Sequence, residues 1–266
     1  MTDLDQLTKM ASTTLERFRL DKKVALVVGG SRGLGQAMAL ALSSAGADVC
    51  VVARSPQDLQ KTADAISRMG RVGKYIAADV SHEEEVEKMV KQVMKPFGRI
   101  DILVNSQGAV HLQPAIDFDI AAWQKVMDVN LKSVVLCSKH VGRVMLNQGK
   151  GKIINISSVR GFQGRAEDLA YAPSKGGVNQ LTRSLAIEWG SKGINVNAIA
   201  PVFTLTPMSA SILNDPVKKE WVLSRIPMRR LSQPDDLFGP VVFLASEASN
   251  FVNGHILHVD GGWLAA

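Results

Sequence analysis

The chain has only two cysteines in 266 residues, Cys50 and Cys137. Each lies inside an apolar segment and no Cys-x-x-Cys occurs, which argues against a disulfide framework. Reduced, buried thiols are expected, as in a cytoplasmic protein. The five histidines, His82, His111, His140, His255 and His258, form no His-x-x-x-His pair. No metal site is expected from them. No Gly-x-Ser-x-Gly elbow surrounds Ser157 or Ser158, which disfavours hydrolase chemistry of that kind. Apolar runs of about 18 residues are absent, so no membrane span is expected. The first twenty residues carry Asp3, Asp5 and Glu16 and no apolar centre, unlike a secretory signal. The formal charge is +6, yet the basic residues are scattered and their clusters are short (Lys218-Lys219, Arg229-Arg230). Without a basic stripe interleaved with aromatics, nucleic acid is not an expected partner. A mildly positive field instead suits an anionic small molecule.

With 46% hydrophobic and 21% charged residues, the composition is that of a folded globular protein. Val24 to Val28 is an apolar run of strand length, followed at once by Gly29-Gly30-Ser31-Arg32-Gly33-Leu34-Gly35. Gln36 to Ser44, rich in Ala, Leu and Met, reads as a helix. Strand, glycine turn and helix form the context of a dinucleotide fingerprint. Glycines allow backbone N–H groups to approach a pyrophosphate, and the helix N-terminus adds a favourable dipole. Gly29, Ser31, Arg32, Gly33, Leu34 and Gly35 are the candidate cradle. The next strand, Asp48 to Ala53, ends in Arg54-Ser55, where an acidic residue would hold a ribose 2′-hydroxyl and reject a phosphate. None stands there. Arg32 and Arg54 together suit a 2′-phosphate, so NADP(H) is favoured over NAD(H); a solvent-facing Arg54 is the alternative.

Helix and strand patterns then alternate. Helices are expected at 56–69 and 83–97, and strands at 73–78 and 100–104. Strand ends follow at Asp79-Val80 and at Asn105-Ser106-Gln107-Gly108. A long helical pattern from Trp123 to Leu146 contains Asn130, a residue mildly unfavourable inside a helix. Strands at 153–157, 194–199 and 256–259 and a helix at 235–245 complete the alternation. The pattern argues for a single-domain α/β fold of the Rossmann type. It has a doubly wound parallel sheet of about seven strands with helices on both faces, and its site lies at the carboxyl ends of the strands. Asp79 is a candidate for the adenine end and Asn105 for bracing the central strands; capping of the next element is the alternative for both.

Tyr171 and Lys175, four residues apart, share one helix face. A free phenol titrates near pH ~10, and a fixed cation beside it is expected to pull that value down. Ser157 and Ser158 stand upstream, at the end of an apolar strand.

These pieces in this order resemble the short-chain dehydrogenase/reductase family, from about Phe18 to Gly262. The matching residues are Gly29-x-x-x-Gly33-x-Gly35, Asp79, Asn105-x-x-Gly108, Asn130, Ser158, Tyr171-x-x-x-Lys175, Pro201 with Thr206, and Asp260-Gly261-Gly262. The resemblance implies an NAD(P)-dependent alcohol dehydrogenase or ketone reductase. It assigns Tyr171 as the proton donor in reduction and base in oxidation. Ser158, thirteen residues before Tyr171, would orient the carbonyl. Lys175 would tune the tyrosine and bind the nicotinamide ribose, and Asn130 would hold a relay water. Thr206 would contact the carboxamide, with Pro201, Gly108, Asn105, Asp79, Val80, Arg54 and Ser55 along the dinucleotide. A homotetramer is also implied.

The chain departs from the family pattern at Val28 (usually Thr) and at Ser106-Gln107 (usually Asn-Ala), which would bring a larger polar side chain near the cofactor. It departs again at Val202 (usually Gly), where another loop path is expected, and in residues 1–17, which extend beyond the fold at 18–266. Residues 203–227 are the expected substrate lid. Phe203, Met208, Ile212, Leu213, Trp221 and Leu223 there either pack on the sheet or line the pocket. Arg160, Gln163 and Arg165, near Ser158, either meet a substrate anion or face solvent. Within the family the pattern is similar to gluconate 5-dehydrogenase-type members. It is nearly as similar to 3-oxoacyl-carrier-protein reductases, for which Lys150, Lys152 and Lys192 would form a basic patch by the pocket. A small sugar acid, polyol or other secondary alcohol is the expected substrate, and a non-catalytic NADP sensor is the reading from another class. The two arginines predict a lower Michaelis constant for NADPH than for NADH; steady-state rates with both cofactors test this, and a clear NADH preference refutes it.

Overall fold

The computed structural model describes residues 3–266, the Ser211 side chain excepted. Seven parallel strands form one sheet: β1 (Val24–Val28), β2 (Asp48–Ala53), β3 (Gly73–Ala77), β4 (Ile102–Asn105), β5 (Gly151–Ile156), β6 (Ile194–Pro201) and β7 (Ile256–Val259). Their order is β3-β2-β1-β4-β5-β6-β7. The chain runs outward from β1 to β3, then returns to lay β4 on the other side of β1. That reversal opens a crevice at the carboxyl ends of β1 and β4, where ligands of such sheets bind.

Helices cover both faces. On one lie α2 (Gly33–Ser44), α3 (Pro56–Arg68) and α10 (Phe238–Ala245), packing Met38, Leu42, Leu59, Ile66, Val241 and Leu244 against Ala25 and Val27. On the other, α4 (Glu83–Phe97), α6 (Ser133–Gln148) and α7 (Tyr171–Trp189) pack Met89, Val93, Val141, Met145 and Trp189 against Leu26 and Val28. Alternate residues of β1 thus enter different cores, which is why the run is apolar throughout rather than alternating. Each large side chain so buried contributes about 1.5–3 kcal/mol. Three short helices lie outside these layers: α5 (Ile120–Met127), α8 (Ala210–Leu213) and α9 (Pro216–Arg225). The first helix, α1 (Leu4–Ala11), buries none of its residues.

The long helix expected over 123–146 is not continuous. A π turn at Asp128–Lys132 separates α5 from α6, and Asn130 sits in it. Likewise the helix expected from Asp235 opens as a 3-10 turn, Pro234–Leu237, before α10. A Pro at its first position and the Gln233–Asp236 capping box fix that start.

A polar bridge ties the central strands to α7. Asn105 and Asn155 face each other across β4 and β5. Asn105 Nδ2 donates to Asn155 Oδ1 at 2.9 Å, and Asn155 Nδ2 donates to Thr182 Oγ1 at 3.0 Å. All three residues are buried. Asn155→Ala removes two buried hydrogen bonds but leaves Asn105 Nδ2 on Ser138 Oγ at 3.4 Å and Thr182 Oγ1 on Val178 O at 2.8 Å, so it should cost about 1–3 kcal/mol and lower the melting temperature by roughly 2–12 °C in calorimetry.

Candidate active site

β1 ends at Val28 and the chain turns immediately. Gly29 has φ +82°, and a Cβ there would meet the Gln107 backbone nitrogen at 2.7 Å; a Cβ on Gly35 would meet the Gly29 carbonyl oxygen at 2.2 Å. Only glycine lets α2 start this close to the turn. Arg32, at the N-cap, offers α2 no side-chain acceptor, so the first-turn N–H groups and the positive helix end face the mouth of the turn. That donor set fits a pyrophosphate. The Ser31 carbonyl accepts from Gln36, and Leu34 packs on the core.

Arg32 and Arg54 are both exposed, and neither joins a salt bridge among the described residues. Arg54, after β2, lies near Asp79, after β3. Burial pushes the Asp79 carboxyl up, but hydrogen bonds from Ser81 and the charges of Arg54 and His82 outweigh it and hold the group below its usual value. Asp79 Oδ1 accepts from Ser81 N at 3.0 Å and Ser81 Oγ at 2.7 Å, so it also braces its own turn. Ser55 precedes α3 and bonds Asp58, and Val80 is buried in the core.

Lys175 Nζ is buried. It donates to the Ile156 carbonyl at 2.7 Å and lies 5.7 Å from the Tyr171 ring centroid. Burial lowers its pKa to about 8. The two serines divide. Ser157 Oγ donates to Asn179 Oδ1 at 2.5 Å, which commits it to packing. Ser158 Oγ accepts from Arg160 N at 3.1 Å, which leaves its own proton available. The expected lowering of the phenol by Lys175 does not win. Burial pushes Tyr171 up, Ser158 pulls it down, and Asp168 adds to the rise against Arg165 and Arg160; the net direction is up.

The awkward Asn130 has its reason. Its Oδ1 accepts from Ala109 N at 2.7 Å, and its Nδ2 donates to Ala109 O at 2.9 Å and Ser174 Oγ at 3.0 Å. It clamps the loop after β4 to α7. A Cβ on Gly108 would lie 3.8 Å from Asn130 Oδ1, 4.0 Å from Lys175 Nζ and 3.6 Å from Met208 Cε. These groups therefore converge on one small space. Gln107 does not point there: its Nε2 donates to Ser133 Oγ at 2.8 Å within the fold. His111 and Gln113 bond each other in the loop.

The lid neither packs on the sheet nor simply lines a pocket. Leu213, Val222 and Ile226 form a separate core with Val159, Val202, Leu231 and Trp263, which is also the destination of Val202. Pro201 ends β6, and Thr206 reaches the glycine turn, 3.6 Å from where a Gly33 Cβ would be. Ser209, unmarked in the sequence, braces this loop through Thr204 O at 2.6 Å and Thr206 O at 3.0 Å. Asp168 was also missed. It receives Ala172 N at 3.0 Å and so starts α7, with Arg165 on its other oxygen at 3.0 Å; its place just before the tyrosine helix was the available signal. The basic patch is corrected. Lys150 and Lys192 precede β5 and β6, at the amino ends of strands, and Lys150 pairs with Glu247. Lys152 is buried on Asn195, Ser249 and Asn250. Cys50 and Cys137 are buried as expected, their thiols pushed up to about 12.

Lys175 titrates near 8 in the fold against 10.5 ordinarily. The unfolded chain binds the extra proton between these values, so this group makes stability rise with pH across that window. Lys175→Met should flatten that rise, which melting temperatures of both proteins from pH 7.5 to about 10 will measure.

A family model described as enoyl-(acyl carrier protein) reductase matches residues 28–264. The chain is 43% identical over 250 residues to a 2-dehydro-3-deoxy-D-gluconate 5-dehydrogenase of Bacillus subtilis, covering 94% of this chain and 98% of that one. It is 38% identical over 245 residues to a 3-oxoacyl-[acyl-carrier-protein] reductase of Synechocystis, covering 91% and 97%. The crystal structure of a gluconate 5-dehydrogenase from Burkholderia cenocepacia in complex with NADP and tartrate superposes with a TM-score of 0.92 at 36% identity, covering 95% and 99%. The glycine turn, the parallel order and these relatives agree: the chain belongs to the short-chain dehydrogenase/reductase family.

Proposed function

We propose that the chain is an NADP(H)-dependent oxidoreductase that interconverts a secondary alcohol and a ketone, with a sugar acid as substrate. The observation that supports this is the approach of Lys175 and Asn130 to Gly108, with Lys175 beside the Tyr171 ring and Ser158 acting on the Tyr171 phenol. The sugar acid rests on the names of the gluconate-type relatives, and the cofactor on the NADP in the related crystal structure together with exposed Arg32 and Arg54.

When bound along the turn, the nicotinamide nucleotide supplies or accepts the hydride. The chain's residues handle the oxygen. Ser158 donates its hydroxyl proton as a hydrogen bond to the substrate oxygen, a small oxyanion-type donor. Tyr171, kept protonated at neutral pH by burial, gives that oxygen its proton in reduction and takes it back in oxidation. Lys175, near 8, exchanges protons around neutrality and suits a relay beside Asn130. Met208, over Gly108, and the rest of 203–227 serve as the lid.

The same reading takes 18–266 as one catalytic domain with 1–17 as an extension, in a cytoplasmic homotetramer; exposed Val135 on α6 and Ile187 on α7 support a self-contact. A 3-oxoacyl thioester reductase is the weaker reading, since Lys150, Lys152 and Lys192 lie at strand amino ends. A non-catalytic sensor has no use for the polar convergence around Tyr171. Tyr171→Phe should lower kcat by about 100- to 10,000-fold while NADPH binding, followed by fluorescence titration, stays within a few-fold. Undiminished turnover would remove Tyr171 as the proton donor.

A further inference from the structure

Arg160 follows Ser158 by two residues, on a 3-10 turn that Ser158 caps, and gives its backbone N–H to the serine hydroxyl at 3.1 Å. Its side chain is not solvated, for the residue is 8% exposed. One terminal nitrogen, Nη1, donates to the Gly164 carbonyl at 3.1 Å. Nε and Nη2 are buried with no hydrogen-bond partner among the described residues. These two form one edge of the guanidinium, the edge that takes both oxygens of a carboxylate side by side.

Among the described residues no acidic side chain fills this edge. Asp168, the acid nearest in the same loop, already accepts from Arg165 and Ala172. The Arg160 guanidinium lies 5.5 Å from the Trp263 ring centroid, and Arg225, from α9 of the lid, lies 5.7 Å from the same ring. Trp263 is itself fixed: its Nε1 donates to Gln163 Oε1 at 2.8 Å, and Phe203 and Trp221 pack on it at 5.9 Å. The charges acting most on Arg160 are those of Arg165, Asp168 and Arg225, two positive against one negative. Buried donors are almost always paired, and a buried charge without a partner is costly; two donors of Arg160 have none within the fold.

We propose that Arg160 holds the substrate's carboxylate through Nε and Nη2, in a subsite walled by Trp263 beside the Ser158 and Tyr171 hydroxyls, and so selects acidic over neutral alcohols. This rests on the alcohol–ketone reading above and adds the residue that reads the acid. Arg160 takes no part in the proton or hydride transfer. Its loss should weaken binding more than turnover.

Gluconate and glucitol form a matched pair that differs in a carboxylate against a CH2OH. With NADP, the wild type should favour gluconate. Arg160→Met should raise the KM for gluconate by about 10- to 100-fold, leave kcat within about threefold and glucitol nearly unchanged, and Arg160→Lys should recover part of the loss. Equal losses on both substrates, or a lowered melting temperature with the preference intact, assign Arg160 to the fold and overturn the proposal. Calorimetric binding of tartrate to the NADP-loaded protein needs no turnover. Wild-type binding that falls at least tenfold in Arg160→Met supports the subsite. No tartrate binding, the same binding in the variant, or tighter binding of inorganic phosphate refutes it. Arg160-dependent tartrate binding in a protein that oxidises no alcohol would instead fail the oxidoreductase reading.

Discussion

The hydrogen bond from Lys175 Nζ to the Ile156 carbonyl holds the site together. It joins the second turn of α7 to the last residue of β5, and both chemical hydroxyls lie near these two ends. Tyr171 opens α7 and Ser158 follows β5 by two residues. With an ammonium buried between them, the helix cannot slide along the sheet without stranding a charge, a far larger penalty than any single apolar contact. The remaining polar contacts narrow the same relation. Ser157 to Asn179 and Asn155 to Thr182 fasten β5 to α7 further along. Asn130, through Ala109 and Ser174, brings in the loop after β4. Asp168 fixes where α7 begins. The result is a phenol, a hydroxyl and an ammonium fixed by contacts to β5, α7 and the loop after β4, which is what preorganisation requires.

Much of this was legible before any coordinates. The apolar runs of β1 and β2 begin and end where expected, because a strand buried on both faces admits little polar interruption; β7, at the sheet edge with His258 exposed, also falls where expected. The glycine turn was readable because two close backbone approaches leave no room for a side chain. Asn130 and Lys175 both approach Gly108, and Tyr171 stands beside Lys175 and Ser158. What failed to show was mostly direction and depth. Asn130 looked like a misplaced helix residue because a π turn has no composition of its own; it exists through tertiary contacts with Ala109 and Ser174. Lys150, Lys152 and Lys192 read as a surface patch because charge is visible in sequence and the end of the strand it occupies is not. Arg160 was balanced between solvent and ligand, and burial of that guanidinium depends on Trp263, a hundred residues away. The lid's own core around that tryptophan was hidden for the same reason: its members come from the loop after β5, from the lid and from the end of the chain.

The opposite shifts of Tyr171 and Lys175 change how the pair works. In water the two groups lose protons at nearly the same pH, about 10 for each. Burial disfavours the charged form of both, but the charged forms have opposite sense. The phenol therefore rises while the ammonium falls to about 8. The lysine becomes the stronger acid of the two. In the proposed reduction, a tyrosine that has given its proton to the substrate oxygen is recharged downhill from the lysine side. A neutral lysine is in turn restored from solvent at a pH near its own value. In the reading proposed above, the pair then serves as a graded proton supply. Its gradient is set by how completely α7, β5 and the loop after β4 exclude water. Any substitution that lets water reach Lys175 would collapse that gradient from both ends at once.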